Sequence, residues 1–143
     1  MMPHEDVREG KTVKPAFVHT GKLPDMNGYD QACRAHWGAA AKIRKDTREE
    51  LKWEMIAQKV PRYRGKLHIH FAWHEPPNRS GVRRDLDNIG FARKCVLDAM
   101  QDADVISNDD ERHVVRLSDE LIPELEGAPY VLRVYIQEVE LPW

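Results

Sequence analysis

The chain is short of the features that would place it in a membrane or an oxidising compartment. Its 143 residues include only two cysteines, Cys33 and Cys95, which lack the spacing of a metal-binding motif. No apolar run approaches the roughly 20 residues that a membrane-spanning helix needs. The first residues, MMPHEDVREGKTVK, lack the apolar stretch of a secretory signal. We therefore expect a cytoplasmic protein with reduced thiols and no membrane partner.

The chain also lacks an excess of positive charge, because its 22 Lys and Arg are outnumbered by 24 Asp and Glu, which gives a net charge of −2. This excludes a chain that coats nucleic acid through overall charge. The charges are nevertheless segregated: residues 62–84 carry six basic side chains and one acid, and acids gather from Asp85 onward. Such a boundary is compatible with a polyanionic substrate held near a metal site, and equally with a solvated Arg-rich loop.

The pattern of apolar residues and turn formers predicts one domain over residues 1–143, with the polar residues 1–11 flexible. Its order is strand, helix, strand, helix, strand, strand, which indicates an α/β (α+β) fold with a mixed β-sheet and two main helices. The segment KLHIHFAWHE at 66–75 alternates strictly and predicts a half-buried strand. The other expected strands cover 12–23, 113–122 and 130–141. Helical structure is expected over 30–59, as one long helix or two short ones, and over 88–102.

The second predicted helix has two distinct faces at about 100° per residue. Lys94 and Asp98 fall on the same side as Asp87 and form an i, i+4 pair. Either Asp87 or Asn88 is expected to cap the first amides of this helix. The opposite, apolar face is expected to pack into the core and consists of Ile89, Ala92, Val96, Ala99, Met100 and Ala103.

Carboxylates are concentrated at both ends of this helix. Asp85 and Asp87 flank Leu86, so their side chains point the same way if the step is extended. Two converging carboxylates repel each other unless a cation or a proton relieves them, and oxygen ligands of this type suit Mg²⁺ or Mn²⁺. The turn-forming segment 107–110 (SNDD) supplies a third acid if the chain folds back. Helix capping and solvation remain the alternative interpretation of these acids.

The ordered set of these motifs is more specific than any one of them. RRDLDN, KCVLDAM and VISNDDERHVV, within residues 83–115, together resemble the RusA-type Holliday junction resolvases, many of which are phage-encoded. The resemblance is diffuse outside this range. It implies a small α/β homodimer that cleaves branched DNA with a divalent metal ion.

The match of the motifs indicates which residues of this chain correspond to the family's site residues. The resemblance implies that Asp85, Asp87 and Asp110 hold Mg²⁺, or Mn²⁺, with Asp109 as the alternate to Asp110. It also implies that Lys94 is the catalytic lysine. The spacing after Asn88 is longer than in compact family members, which leaves Arg93 as a competitor, although helix geometry favours Lys94.

Other side chains could contact DNA directly. Arg79, Arg83 and Arg84 precede the acids and are the candidates for phosphate contacts. His68, His70 and His74 share one face of the strand at 66–75, where a polar surface is a better interpretation than a zinc site. Tryptophans could stack on unpaired bases, although a partly buried core position is the more common role; they are Trp37, Trp53, Trp73 and Trp143.

The expected function is therefore that of a Mg²⁺-dependent structure-specific endodeoxyribonuclease that resolves four-way junctions by paired nicks. A homodimer follows from the resemblance and from symmetry, because two symmetric nicks need two sites related by a two-fold axis. The alternatives are a nuclease acting on fork or flap DNA, a non-catalytic module that binds branched DNA, and a structural protein whose acids only cap a helix.

Overall fold

The structure, a computed structural model, describes residues 5–6, 11–24, 37–107 and 113–140, and everything below refers to these. They form a four-stranded mixed sheet with two helices, which confirms the α+β class. A separate antiparallel pair is formed by two two-residue strands. The elements are β1 Glu5–Asp6, β2 Lys11–Thr12, β3 Phe17–Thr20, α1 Trp37–Ala57, β4 Leu67–Glu75, α2 Gly90–Asp102, β5 Val114–Pro123 and β6 Val131–Glu138.

The main sheet has the strand order β3-β6-β4-β5, so β4 lies inside it. β4 pairs antiparallel with β6 and parallel with β5. Parallel neighbours need a crossover connection, and α2 supplies it between β4 and β5. Asp85 and Asp87 therefore lie just before a crossover helix.

Apolar residues of the sheet and of both helices form one buried cluster. The sheet contributes the odd-numbered residues of β4, such as Ile69 and Phe71, and α1 contributes Leu51 and Met55. The predicted apolar face of α2 is confirmed: five of its six residues are buried, and the partly buried Ala103 packs against the cluster. Cys95 and Leu97 are buried as well. Among the described residues, no helix is long and apolar enough to cross a membrane.

β4 is more buried than its alternation predicts. Eight of its nine residues are buried, including His68 and His70 on the face away from the main cluster. A strand between two others is shielded by neighbours on both sides, and the sequence pattern records only which face meets the main core. The expectation of a half-buried strand is therefore wrong for the polar face.

Candidate functional site

The loop that leads from β4 to α2 is organised by Asn78. Its Oδ1 accepts hydrogen bonds from the backbone N–H groups of Ser80 and Val82, both at 2.9 Å. Gly81 adopts a φ of 78° within this turn, a conformation that favours glycine. Arg83 then donates to the backbone oxygen of Glu124 at 2.6 Å. The loop is thus fastened to the chain that follows β5.

Arg84 lies in the interior rather than on the surface. Its guanidinium donates two hydrogen bonds to the Glu75 carboxylate, at 2.5 and 2.7 Å, and a third to the backbone oxygen of Leu23 at 2.7 Å. The ring of Tyr130 lies 5.7 Å from the Arg84 Cζ. Of the three arginines predicted to contact phosphates, Arg79 is exposed, Arg83 is exposed but bound to the backbone, and Arg84 is structural.

Asp85 and Asp87 lie on a turn, and both are exposed. The N–H of Asn88 bonds to the Asp85 backbone oxygen at 3.2 Å and to its Oδ1 at 2.9 Å. The step between the two acids is therefore not extended, and the argument that their side chains are parallel does not hold. The expected capping is also wrong, because Ile89 is the N-cap of α2 and no side chain bonds there.

Lys94 projects from the second turn of α2 and is 58% exposed. Its Nζ lies 3.2 Å from Asp98 Oδ1, which confirms the predicted i, i+4 pair. The other oxygen of Asp98 lies 3.9 Å from the guanidinium of Arg48 on α1. A single carboxylate therefore lies between a lysine of one helix and an arginine of the other.

Arg93, the competitor of Lys94, is bound elsewhere. It forms an ion pair with Asp119 of β5, and the indole N–H of Trp73 donates to the same carboxylate at 3.0 Å. The Asp119 side chain is only 15% exposed. Arg93 thus ties α2 to the sheet, and this arrangement favours Lys94 for a role on a substrate.

The third predicted acid, Asp110, and its alternate Asp109 lie outside the described residues. The flanking chain is described: His113 bonds to the backbone oxygen of Gly65, next to the start of β4. Arg84 bonds to Glu75 at the end of β4, about 26 Å away at roughly 3.3 Å per residue. Convergence of Asp110 on Asp85 and Asp87 therefore stays a prediction.

The polar face of β4 carries a chain of hydrogen bonds that the sequence did not predict. Ser118 Oγ lies 2.7 Å from both His68 Nε2 and His70 Nδ1, and His70 Nε2 lies 3.1 Å from Glu120. With His70 neutral, its Nε2–H donates to Glu120, the Ser118 hydroxyl donates to His70, and His68 donates to Ser118. Burial, with the charge of Arg116, lowers the pKa of His68. His74 bonds separately to Glu124 at 2.7 Å.

The partners that sequence reasoning missed are all remote in sequence. Arg48 meets Asp98 and Asp102 across 50 or more positions, and Asp119 meets Arg93. Nothing in the local pattern marks such pairs, because periodicity reports which face of an element is buried and not what faces it.

Within the described part of the chain, no group of three His, Cys, Asp or Glu side chains is close enough to hold a metal ion. No protein-family model matches the chain, and no curated protein matches it either. The RusA-type resemblance therefore stays a prediction from the sequence.

Proposed function

We propose that this protein is a divalent-metal-dependent endonuclease that cleaves branched DNA, with four-way junctions as its main substrate. The observation that carries the proposal is the relation of two features of the RusA-like motif. Asp85 and Asp87 are exposed on the turn that enters α2, and Lys94 leaves the exposed side of the same helix one to two turns later. The acids and the lysine of the motif are thus accessible to a large substrate.

The carboxylates of Asp85 and Asp87 have the chemistry that Mg²⁺ or Mn²⁺ prefers. Mg²⁺ is commonly bound by one or two carboxylates together with phosphate oxygens of the substrate. Among the described residues, the Asp87 carboxylate makes no hydrogen bond or ion pair. The Asp85 carboxylate accepts the turn bond from Asn88 through its Oδ1, which leaves its Oδ2 for a ligand. Asp110, or Asp109, would supply a third carboxylate. A bound metal ion would polarise the phosphoryl group and lower the pKa of the attacking water.

Lys94 would act on the charge that develops at the scissile phosphate. An ammonium group stabilises negative charge best where it is held in place before the reaction. Asp98 performs that function here, because its carboxylate is mostly buried and holds Lys94 Nζ at 3.2 Å. Arg79 would contact neighbouring phosphates from the exposed loop, whereas Arg84 would maintain the shape of that loop.

Symmetric cleavage of a four-way junction requires a homodimer with two sites related by a two-fold axis. We expect the protein to act on DNA in the cytoplasm, where its two cysteines would stay reduced. A second nuclease activity, on forks or flaps, would use the same residues. A module that binds branched DNA without cutting it is the alternative from a different class.

The test is a labelled synthetic four-way junction incubated with Mg²⁺ or with EDTA, using wild type and Asp87→Asn. We expect paired nicks from the wild type with Mg²⁺ only, and loss of cleavage with retained junction binding for Asp87→Asn. Asp46→Asn is the matched control, because Asp46 is an exposed acid of α1 paired with Lys42. If the wild type leaves the junction uncut but binds it in EDTA, the non-catalytic module is correct.

A further inference from the structure

A groove on the far side of Asp98 from Lys94 combines cationic and aromatic side chains. It has a volume of about 490 Å³ and lies between α1 and the end of α2. Four of its lining residues are basic and two are acidic. One of the acids, Asp102, is neutralised by a bidentate pair with Arg48 at 2.7 and 2.9 Å. The lining residues that matter below are Arg44, Lys45, Arg48, Lys52, Trp53 and Asp102.

Trp53 is the one aromatic side chain among the exposed large hydrophobic residues that the structure describes, and 56% of its surface is accessible. Lys52 Nζ lies over its ring at 5.0 Å from the centroid. A tryptophan with lysine and arginine around it can stack on an unpaired base while the cations contact the adjoining phosphates. A buried role does not account for this side chain.

The groove adjoins the proposed site through Arg48, which lines the groove and lies near Asp98. Asp98 contacts Lys94 at 3.2 Å through one oxygen and Arg48 at 3.9 Å through the other. The basic side chains then extend along α1 from Arg44 to Lys52, about 12 Å at 1.5 Å per residue.

We propose that this groove binds a DNA strand whose bases are unpaired at the branch point, next to the cleavage site, with Trp53 stacked on one base and Lys45 on the backbone. The choice of occupant follows from charge complementarity and from the exposed indole, since a duplex presents no open base face. The proposal rests on the proposed nuclease function for its substrate. It adds a surface on α1 that the RusA-like motif does not include.

The experiment measures equilibrium binding of a fluorescent single-stranded oligonucleotide and of a labelled four-way junction, both in EDTA. We expect Trp53→Ala to weaken binding of both about tenfold, within the range for loss of one stacked base. Trp53→Phe keeps a ring and should retain most of the affinity. Leu125→Ala is the control for loss of an exposed apolar side chain, because Leu125 is 82% exposed and lies outside the groove.

The basic side chains are tested through the salt dependence of the same binding. Lys45→Ala should reduce the slope of log affinity against log salt by about 0.7 to 0.9. Lys42→Ala is the matched control on the same helix, because Lys42 lies outside the groove and is paired with Asp46. Equal effects of the two lysine variants, or unchanged binding by Trp53→Ala, would overturn the proposal.

Cleavage with Mg²⁺ separates this proposal from the proposed function. If binding depends on Trp53 but no metal-dependent cleavage occurs, the groove proposal is supported and the nuclease proposal is wrong. If metal-dependent cleavage occurs and is unchanged in Trp53→Ala and Lys45→Ala, the nuclease proposal is supported and the groove proposal is wrong. Circular dichroism and thermal unfolding of each variant confirm that a loss reflects binding rather than misfolding.

Discussion

Arg84 and Glu75 form a buried ion pair, with Nη2 2.5 Å from Oε2 and the two side chains 8% and 3% exposed. The pair joins the end of β4 to the residue that precedes Asp85. Arg84 therefore sets where the DLDN turn begins, although its position beside the acids suggested a phosphate contact. The sequence alone does not show whether an arginine is buried or exposed.

Truncation of Arg84 should destabilise the fold. Arg84→Ala leaves the Glu75 carboxylate buried without its main partner, and breaking a buried pair in this way costs about 3–5 kcal/mol. Urea unfolding measures the change in the free energy of unfolding. Arg79→Ala is the control, since the exposed Arg79 should shift stability by less than about 0.5 kcal/mol. Similar stabilities of the two variants would contradict the structural role of Arg84.

Substitutions of Lys94 and Arg93 should have different effects, the first on catalysis and the second on stability. We expect Lys94→Ala to keep the fold and junction binding while cleavage falls by about 100- to 1000-fold, the usual cost of removing one group that stabilises a developing charge. Arg93→Ala should instead lower stability by about 1 kcal/mol, because it leaves the Asp119 carboxylate without its ion pair. Single-turnover cleavage and urea unfolding test both. The reverse pattern would give the catalytic role to Arg93.

Cys95 should make the protein less stable at high pH. Burial raises the pKa of this thiol from 9.0 to about 11, so the unfolded chain loses its thiol proton first as the pH rises. Stability therefore falls between pH 9 and 11, by about 2–3 kcal/mol if the group acts alone. Urea unfolding at pH 8, 9, 10 and 11 measures this decline. Cys95→Ala should show a shallower decline, and parallel curves would show that the thiol does not titrate in this way.

The faces of α2 were predictable from the sequence because a helix repeats every 3.6 residues and its core side must be apolar. Ala92, Val96 and Met100 are buried as expected, and Lys94 is exposed beside Asp98. The pair is local, so helix geometry alone fixes it. The order of strands and helices followed in the same way from periodicity and turn formers.

The conformation of Asp85 and Asp87 was not predictable from spacing. Two acids separated by one residue point the same way in an extended segment, but a hydrogen bond from Asn88 closes a turn there instead. Aspartate accepts such bonds readily, and the sequence does not state whether its carboxylate is used for a turn or for a metal. The placement of Arg84 against Glu75 similarly depends on where β4 ends.

The sequence by itself determined the fold class, the apolar face of α2 and the Lys94–Asp98 pair, because these follow from periodicity and from residues close together in the chain. Only the tertiary structure decided that Arg84 is buried, that Arg93 belongs to Asp119, and that Arg48 and Trp53 of α1 lie beyond Asp98. These contacts join residues that lie 9 to 54 positions apart in the sequence. They arise when the sheet and helices bury a common core, and hydrophobic periodicity fixes which faces meet but not which polar side chains then become neighbours.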